Sequence, residues 1–414
     1  MRPLVQDPSK ATLAILRLEC FVPDAAGRLV NEGGFTGLVD SLAPHFARVE
    51  VIAPVVSRLE VSAGLRSFRA PNVIFRALPD MKGLARAWGR APKALGLLER
   101  WSAGWDLVNL RAPDNLLPFS APWLRRRQIP HYLQLVSHPY DAGDAAISQL
   151  PGPARPLGEL AWGLQRRAIR AACKDRLCIA HGESLAKIAS GWGAHAVNLP
   201  SGSLSRAWID PRARAGRPRR LLFVGRLNAE KGLDQLVDAL VLLEDLDLEV
   251  TLAGWPTGDF DKRLMARAAS AGVAGRLDLR GPVPHGPELF DLYREHDLFV
   301  LPSVSEGTPR VIGEAMAFGL PVVSTTAGGI PDLVDHGRTG LLAEPGSATA
   351  LAAELRRVIE GDRLRAALVQ AAAATVDERT LEHKAARHVA ILRGEQSSTE
   401  VTPEGAALAH GGAA

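Results

Sequence analysis

FVGRLNAEKGLDQLVDAL, residues 223–240, is the stretch whose reading decides the fold of the C-terminal half. Its apolar opening ends at Gly225 and reads as a buried strand. Leu233, Leu236, Val237 and Leu240 then recur at helical spacing. Arg226 and Lys231 therefore fall on the connecting loop, at the carboxyl end of the strand. In open parallel α/β sheets that end is where ligands bind. Two cations there suit a diphosphate, Arg as a fork of donors and Lys as a compact point charge. Solvated loop charge is the other reading that the pair leaves open by itself.

The same alternation of short apolar runs and longer helical patterns extends in both directions. Before this stretch the runs are 11–17, 49–55, 72–78, 106–111, 131–137 and 176–180; from it onward they are 220–225, 248–254, 276–281, 298–303 and 321–325. Apolar strands separated by helices predict parallel sheets covered on both faces, and two such series predict two doubly wound α/β domains. SRAWIDPRARAGRPRR, residues 205–220, holds Pro, Gly and six arginines without apolar periodicity and reads as the joint between them. The expected boundaries are an N-terminal domain at 1–204, a linker at 205–219 and a second domain at 220–375. A helix at 376–393 would return to the first domain, and a small, polar, disordered tail would occupy 394–414.

A second informative element is SVSEGTPRVIGEAMAFGLPVVST, residues 303–325. A strand ends, Glu306 and Gly307 follow, and Pro309 suits the first turn of a helix that Gly319 stops. The free amides at Arg310, Val311 and Ile312 would face the same crevice as an anion site. Glu306 lies before the helix and Glu314 more than a turn inside it, so the two have separate jobs. Each also has a plain alternative: Glu314 on a solvated helix face, and Glu306 as favourable charge near a helix N-terminus.

Composition is that of a soluble globular chain, with 47% hydrophobic and 23% charged residues over 414 positions. The three cysteines lack zinc-type spacing and are too few for a disulfide framework, which favours a reduced, cytoplasmic compartment. The apolar stretch near the N-terminus carries Arg17 and Glu19 and reads as a buried strand instead of a signal peptide. No apolar run approaches the length of a membrane span. Charge is uneven: residues 1–220 hold 31 Lys/Arg against 17 Asp/Glu, and the remainder 18 against 28. A basic first half suits anionic lipid or an acidic saccharide. Aromatic residues are too sparse for nucleic-acid binding.

The order G-R-L-x-x-E-K-G at 225–232, then E-x7-E-A-M-A-x-G-x-P-V-V from Glu306, then AGGIPDLVDHGRTGLL at 327–342, resembles the retaining glycosyltransferases of family 4, of GT-B fold. The resemblance is dense over 220–345 and thinner before it, where it rests on Gly33, Gly34, His138 and the LPSGS turn near Gly202. It implies two Rossmann-like domains facing a central cleft. It also implies transfer of a hexose-type sugar from a nucleotide-diphosphate donor to a glycan or lipid-linked acceptor. On that resemblance Arg226 and Lys231 hold the departing diphosphate, Glu306 sits at the transferred sugar, and Glu314 grips the ribose hydroxyls. Gly33 and Gly34 close over the phosphates from the first domain, and His138 contacts the donor sugar, although its SHPYD context departs from the family's H-D pattern. Gly225 closes the strand. The backbone from Gly281 to Pro284 meets the base, and the turn Gly307–Thr308 with the amides of Arg310 and Val311 faces the sugar phosphate. No cofactor and no metal are implied: the triplets at Asp245–Asp247 and Asp259–Asp261 lie away from the constellation. Rival readings keep the fold, as a sugar-nucleotide epimerase or hydrolase, or as a non-catalytic sugar-nucleotide-binding partner.

MKGLARAWGRAPKALGLLERWSAGW, residues 81–105, mixes cations with Trp88, Trp101 and Trp105. It reads either as an ordinary helix packed on the first sheet or as a cationic amphipathic helix lying on an anionic bilayer, on the inner face of the membrane.

Overall fold

The computed structural model describes residues 3–17, 20–32, 34–57, 65–136, 155–199, 202–211 and 216–395. Gly33, His138, residues 212–215 of the expected linker and the tail from 396 lie outside the described residues. The chain divides into two compact units, Met1–Pro200 with Lys384–Ala414, and Ser201–His383.

The first unit supplies β1 (Thr12–Leu16), β2 (Val22–Pro23), β3 (Leu29–Glu32), β4 (Arg48–Pro54), β5 (Leu65–Arg66), β6 (Val73–Leu78), β7 (Leu107–Ala112), β8 (His131–Leu135), β9 (Leu177–Ala180) and β10 (His195–Asn198). Seven of these form one parallel sheet in the order β10-β9-β8-β7-β1-β4-β6. β2, β3 and β5 pair antiparallel in a separate small sheet. Every residue of β7 and β8 is buried, as expected of parallel strands with helices on both faces. Val108, Leu110 and Ala112 pack on one side with Ala91, Leu98 and Ile169. Leu107 and Tyr132 pack on the other with Phe35, Ala385 and Val389. Residues from Lys384 to the end of the helix Leu381–Leu392 thus lie in this unit, and the Tyr132 hydroxyl meets His388 Nε2 at 2.7 Å.

The second unit supplies β11 (Arg220–Val224), β12 (Glu249–Ala253), β13 (Leu277–Gly281), β14 (Leu298–Leu301), β15 (Val322–Thr325) and β16 (Leu341–Ala343). They form one parallel sheet in the order β13-β12-β11-β14-β15-β16. Both large sheets are doubly wound. The chain builds outward from the first strand in one direction and returns to build in the other, so the order reverses between β11 and β14, and between β1 and β7. At such a reversal the loops diverge and leave a crevice beyond the carboxyl ends of the strands.

Three sequence expectations need correction. The segment from Ser205 is part of the second unit: Trp208 packs on Phe290 with ring centroids 4.7 Å apart, Arg206 forks onto Asp377 at 2.7 and 2.9 Å, and the Asp210 amide donates to Ala317. The unit boundary accordingly falls at 200/201, before the expected 205. The strands at β10 and β16, and the small antiparallel sheet, had no counterpart in the apolar pattern. The structure also decides between the two readings of 81–105. On the helix Leu84–Trp101, Trp88 and Trp101 pack against the core beside buried Leu98, and Trp105 just beyond it donates from Nε1 to buried Glu50 at 3.1 Å. The tryptophans are committed inward.

Candidate active site

β11 ends at Val224, and the Gly225 amide donates to Ala253, holding the first loop against β12. Arg226 follows and is exposed, with no hydrogen bond or ion pair among the described residues. A short 3-10 turn, Ala229–Lys231, then delivers Lys231, and Gly232 begins the helix Leu233–Leu242. Gly232 has φ +65°, and a Cβ there would lie 1.9 Å from the Pro302 carbonyl oxygen. Only glycine allows the turn to approach β14 this closely.

The second loop leaves β14 and is fixed from both sides. The Val304 amide donates to Glu230 at 2.8 Å, and the Gly329 amide donates to Gly307 at 2.9 Å. Gly328, at φ +54°, would place a Cβ 1.8 Å from the Glu306 carbonyl. The G-G pair read from the sequence thus serves close backbone packing under the Glu306 loop. Thr325 Oγ1 donates to the Ser303 carbonyl at 2.5 Å and completes the frame.

Within this frame Lys231 Nζ donates to Glu306 Oε1 at 2.5 Å, and Ser303 Oγ donates to the same oxygen at 2.9 Å. The side chains are 14% and 9% exposed, so the pair is shielded from bulk water. An ion pair so placed lasts only with good geometry and added hydrogen bonds, and Ser303 supplies one. The ammonium has three N–H groups and the carboxylate about four acceptor sites. Among the described residues, two donors on Lys231 and the whole of Glu306 Oε2 have no hydrogen-bond partner.

The helix Arg310–Ala317 begins beyond Pro309, which caps it without a side-chain hydrogen bond. Its first amides therefore remain available to an anion. Glu314 is 3% exposed, which excludes the solvated-face reading. It accepts from Ser203 Oγ, from Tyr293 Oη at 2.9 Å, and lies 3.2 Å from His285 Nε2. Burial pushes its carboxyl up, but the His285 and Ser203 contacts and the Arg310 charge outweigh that and hold it at about 2. Burial, and then the same carboxylate, raise the Tyr293 phenol. Beside Glu314 a pocket is lined by Gly202, Ser203, Arg310, Gly313 and Arg379.

Gly281 ends β13 at φ +70° and its carbonyl accepts from the Gly254 amide at 2.8 Å, so that carbonyl is already engaged. Asp245 and Asp247, before the amino end of β12, hold Arg356 and Arg219; Asp259 pairs with Arg263. The structure brings Lys231, Glu306, Gly307 and the Arg310 helix to the reversal between β11 and β14. Gly34 starts a helix of the first unit. Sequence reading missed Ser203, His285 and Tyr293 as partners of Glu314.

Two doubly wound parallel units of this kind make the GT-B fold. HepE of Anabaena, solved in complex with UDP and glucose, superposes with TM-score 0.65 at 18% identity, covering 93% of this chain and 100% of that one. Sucrose-phosphate synthase from Thermosynechococcus elongatus superposes with TM-score 0.66 at 19% identity, covering 93% and 99%. Likeness at this identity speaks for the fold. Residues 205–375, within the second unit, match the model of the family described as glycosyl transferases group 1. The amylovoran biosynthesis glycosyltransferase AmsK of Erwinia amylovora is 35% identical over 218 residues, 49% of this chain and 52% of that protein. D-inositol 3-phosphate glycosyltransferase of Arthrobacter sp. strain FB24 is 38% identical over 172 residues, 39% and 41%. The chain spans about half the length, or less, of the curated relatives it matches.

Proposed function

We propose that the chain is a retaining glycosyltransferase that moves a hexose-type sugar from a nucleotide-diphosphate sugar to a glycan or lipid-linked acceptor, without a metal ion. The observation that carries this reading is the Lys231–Glu306 pair beside the open helix start at Arg310, all at the strand reversal of the second sheet. Breaking the bond from the anomeric carbon to the diphosphate builds negative charge on the leaving group. Lys231, Arg226 and the amides after Pro309 are the positive groups aimed at that charge, and stabilisation of this type supplies about 3 kcal/mol per well-placed donor. Glu306 fixes the ammonium through Oε1 and offers Oε2 to a sugar hydroxyl. Of the roughly four acceptor sites on Glu314, three are taken by Ser203, His285 and Tyr293. A ribose hydroxyl would therefore use the remaining Oε2 site or displace the Ser203 hydroxyl. The leaving phosphate takes the acceptor proton, and attack proceeds on the face from which it departs, so configuration is retained.

The test is a panel of nucleotide-diphosphate sugars offered with glycan and lipid extracts. Release of nucleoside diphosphate together with a retained-configuration product supports the reading. An isomeric nucleotide sugar would point to an epimerase, and binding without turnover in any extract to a non-catalytic partner.

A peripheral contact with anionic membrane on the cytoplasmic side has its own observation. No described helix is long and apolar enough to cross a membrane. On the helix Arg155–Cys173, however, Leu157, Leu160 and Leu164 are 72%, 61% and 44% exposed at positions i, i+3 and i+7. Arg155, Arg167 and Arg170 on the same helix are exposed too. A leucine row among arginines matches an anionic interface.

A further inference from the structure

The second strand reversal, between β1 and β7 of the first unit, has a charge that the function above does not use. Arg111 is the next-to-last residue of β7, and Arg17 directly follows β1. They are 9% and 6% exposed. Both guanidinium groups stand over one aromatic ring, Phe35, at 5.0 Å for Arg111 and 3.9 Å for Arg17. Phe35 is the second residue of the helix Gly34–Leu42.

Arg111 is held but not neutralised. Its Nη1 donates to Gln134 Oε1 at 2.8 Å, and Gln134 Nε2 lies 2.8 Å from His181 Nε2, which fixes the amide with its oxygen toward the guanidinium. Among the described residues Arg111 Nε meets no acceptor, and no carboxylate pairs with this side chain. Burial lowers the Arg111 pKa to about 10, still far above neutrality, so the charge persists. The neighbouring His388 is pushed down to about 3 by burial and by the Arg111 charge, and stays neutral. An uncompensated buried guanidinium costs several kcal/mol. A ring face and one amide oxygen offset only part of that. Such an arrangement is retained where an anion completes it, and the carboxyl ends of strands at a sheet reversal are where a ligand arrives.

We infer that Arg111 and Arg17 form a binding site for a compact oxyanion of the phosphate class, and that this anion is carried by the acceptor. The second part rests on the transferase reading; the first does not. Arg111 contributes the fixed fork and Arg17 a second positive group over the same ring. The basic balance of the first half then has a local purpose, the recognition of a phosphorylated or similarly anionic acceptor.

The experiment titrates the full chain with inorganic phosphate and, separately, with a panel of nucleoside diphosphates, by calorimetry. Wild type is compared with Arg111→Met, Arg111→Lys and Lys231→Ala. With the donor site filled by nucleoside diphosphate, the expected result is phosphate binding at least about tenfold weaker in Arg111→Met and intermediate in Arg111→Lys, the size of effect that loss of one charged hydrogen-bonding group produces. Nucleoside diphosphate binding should be unchanged in Arg111→Met and weakened in Lys231→Ala. Without phosphate, Arg111→Met should unfold at or above the wild-type temperature, because an unpaired buried charge has been removed. A lower midpoint with phosphate affinity unchanged would mark Arg111 as structural and overturn the site. Absence of millimolar phosphate binding in the wild type would overturn it as well. Loss of nucleoside diphosphate binding in Arg111→Met would assign the anion to the donor and overturn the acceptor part alone. Failure of the wild type to bind any nucleoside diphosphate would count against the transferase reading and leave the phosphate comparison intact.

Discussion

Lys231 and Glu306, 75 residues apart, meet at 2.5 Å across the strand reversal of the second sheet. The pair joins the loop after β11 to the loop after β14, and Ser303 holds the carboxylate from the other side. Removing one member has two consequences. On the proposed function, Lys231→Ala deletes a donor directed at the leaving diphosphate and leaves Glu306 shielded without its cation. Turnover with the active donor should fall about 100-fold or more, for a loss near 3 kcal/mol. Glu306→Gln keeps the shape and weakens the hold on the ammonium. The double variant should be less than additive, because the two side chains act through one contact. Steady-state rates of nucleoside diphosphate release for the four proteins check this, and additive losses would show that the pair has no catalytic coupling.

Glu314 gives a prediction in pH. Its folded-state carboxyl is held at about 2, below the ordinary 4.5. A depressed carboxyl contributes stability that is present above its unfolded pKa and lost as pH falls through the folded one. The Glu314→Gln variant should therefore be less stable than wild type by about 1–3 kcal/mol at pH 6 to 7. The gap should narrow as pH falls below 4.5 toward 2. Denaturant midpoints measured across that range decide it; a gap independent of pH would mean that the charge on Glu314 contributes nothing beyond its shape.

Much of this site was legible because its pieces are local. Arg226, Lys231, Glu306 and Glu314 all follow a strand or enter a helix within a few residues, and apolar periodicity marks those ends. The surroundings of Glu314 were not legible: Ser203, His285 and Tyr293 come from 111, 29 and 21 residues away. Pattern along the chain carries no sign of which distant donor will meet a buried carboxylate. β16 was missed because three residues are too few to show alternation, and β10, His195–Asn198, because only two of its four residues are apolar. The arginine-rich stretch after Ser205 looked like a linker by composition. Its one indole, Trp208, and the Arg206–Asp377 fork tie it to the second unit instead.

Two glycines of the same loops should respond in opposite ways to alanine. At Gly232 the left-handed φ and the Pro302 carbonyl 1.9 Å from a Cβ leave no room. Gly232→Ala must move the turn that carries Lys231. It should cost about 1–3 kcal/mol of stability and reduce nucleoside diphosphate affinity with it. Gly307 has open space around a Cβ and no positive φ. Gly307→Ala should unfold like wild type, within about 0.5 kcal/mol. Thermal unfolding of the two variants side by side distinguishes backbone packing from mere sequence similarity; equal midpoints would show that the close approach at Gly232 carries no cost.

The exposed leucine row on the helix Arg155–Cys173 makes the membrane reading testable apart from catalysis. Leu157, Leu160 and Leu164 together expose an apolar strip that no core requires. Burying such a strip in an interface is favourable at about 25 cal/mol per Å², and the neighbouring arginines add attraction to anionic lipid that salt screens. Flotation with vesicles containing anionic lipid should lift the wild-type protein at low salt and much less at high salt. Leu157→Glu with Leu160→Glu should abolish flotation while leaving the unfolding temperature unchanged, since neither side chain packs in the core. Trp88→Ala gives the contrast: its indole packs on the first-unit core, so the variant should lose stability by about 1–3 kcal/mol while still floating. If the leucine variant floats as well as wild type, the row is ordinary surface, and the basic charge of the first half acts through another face.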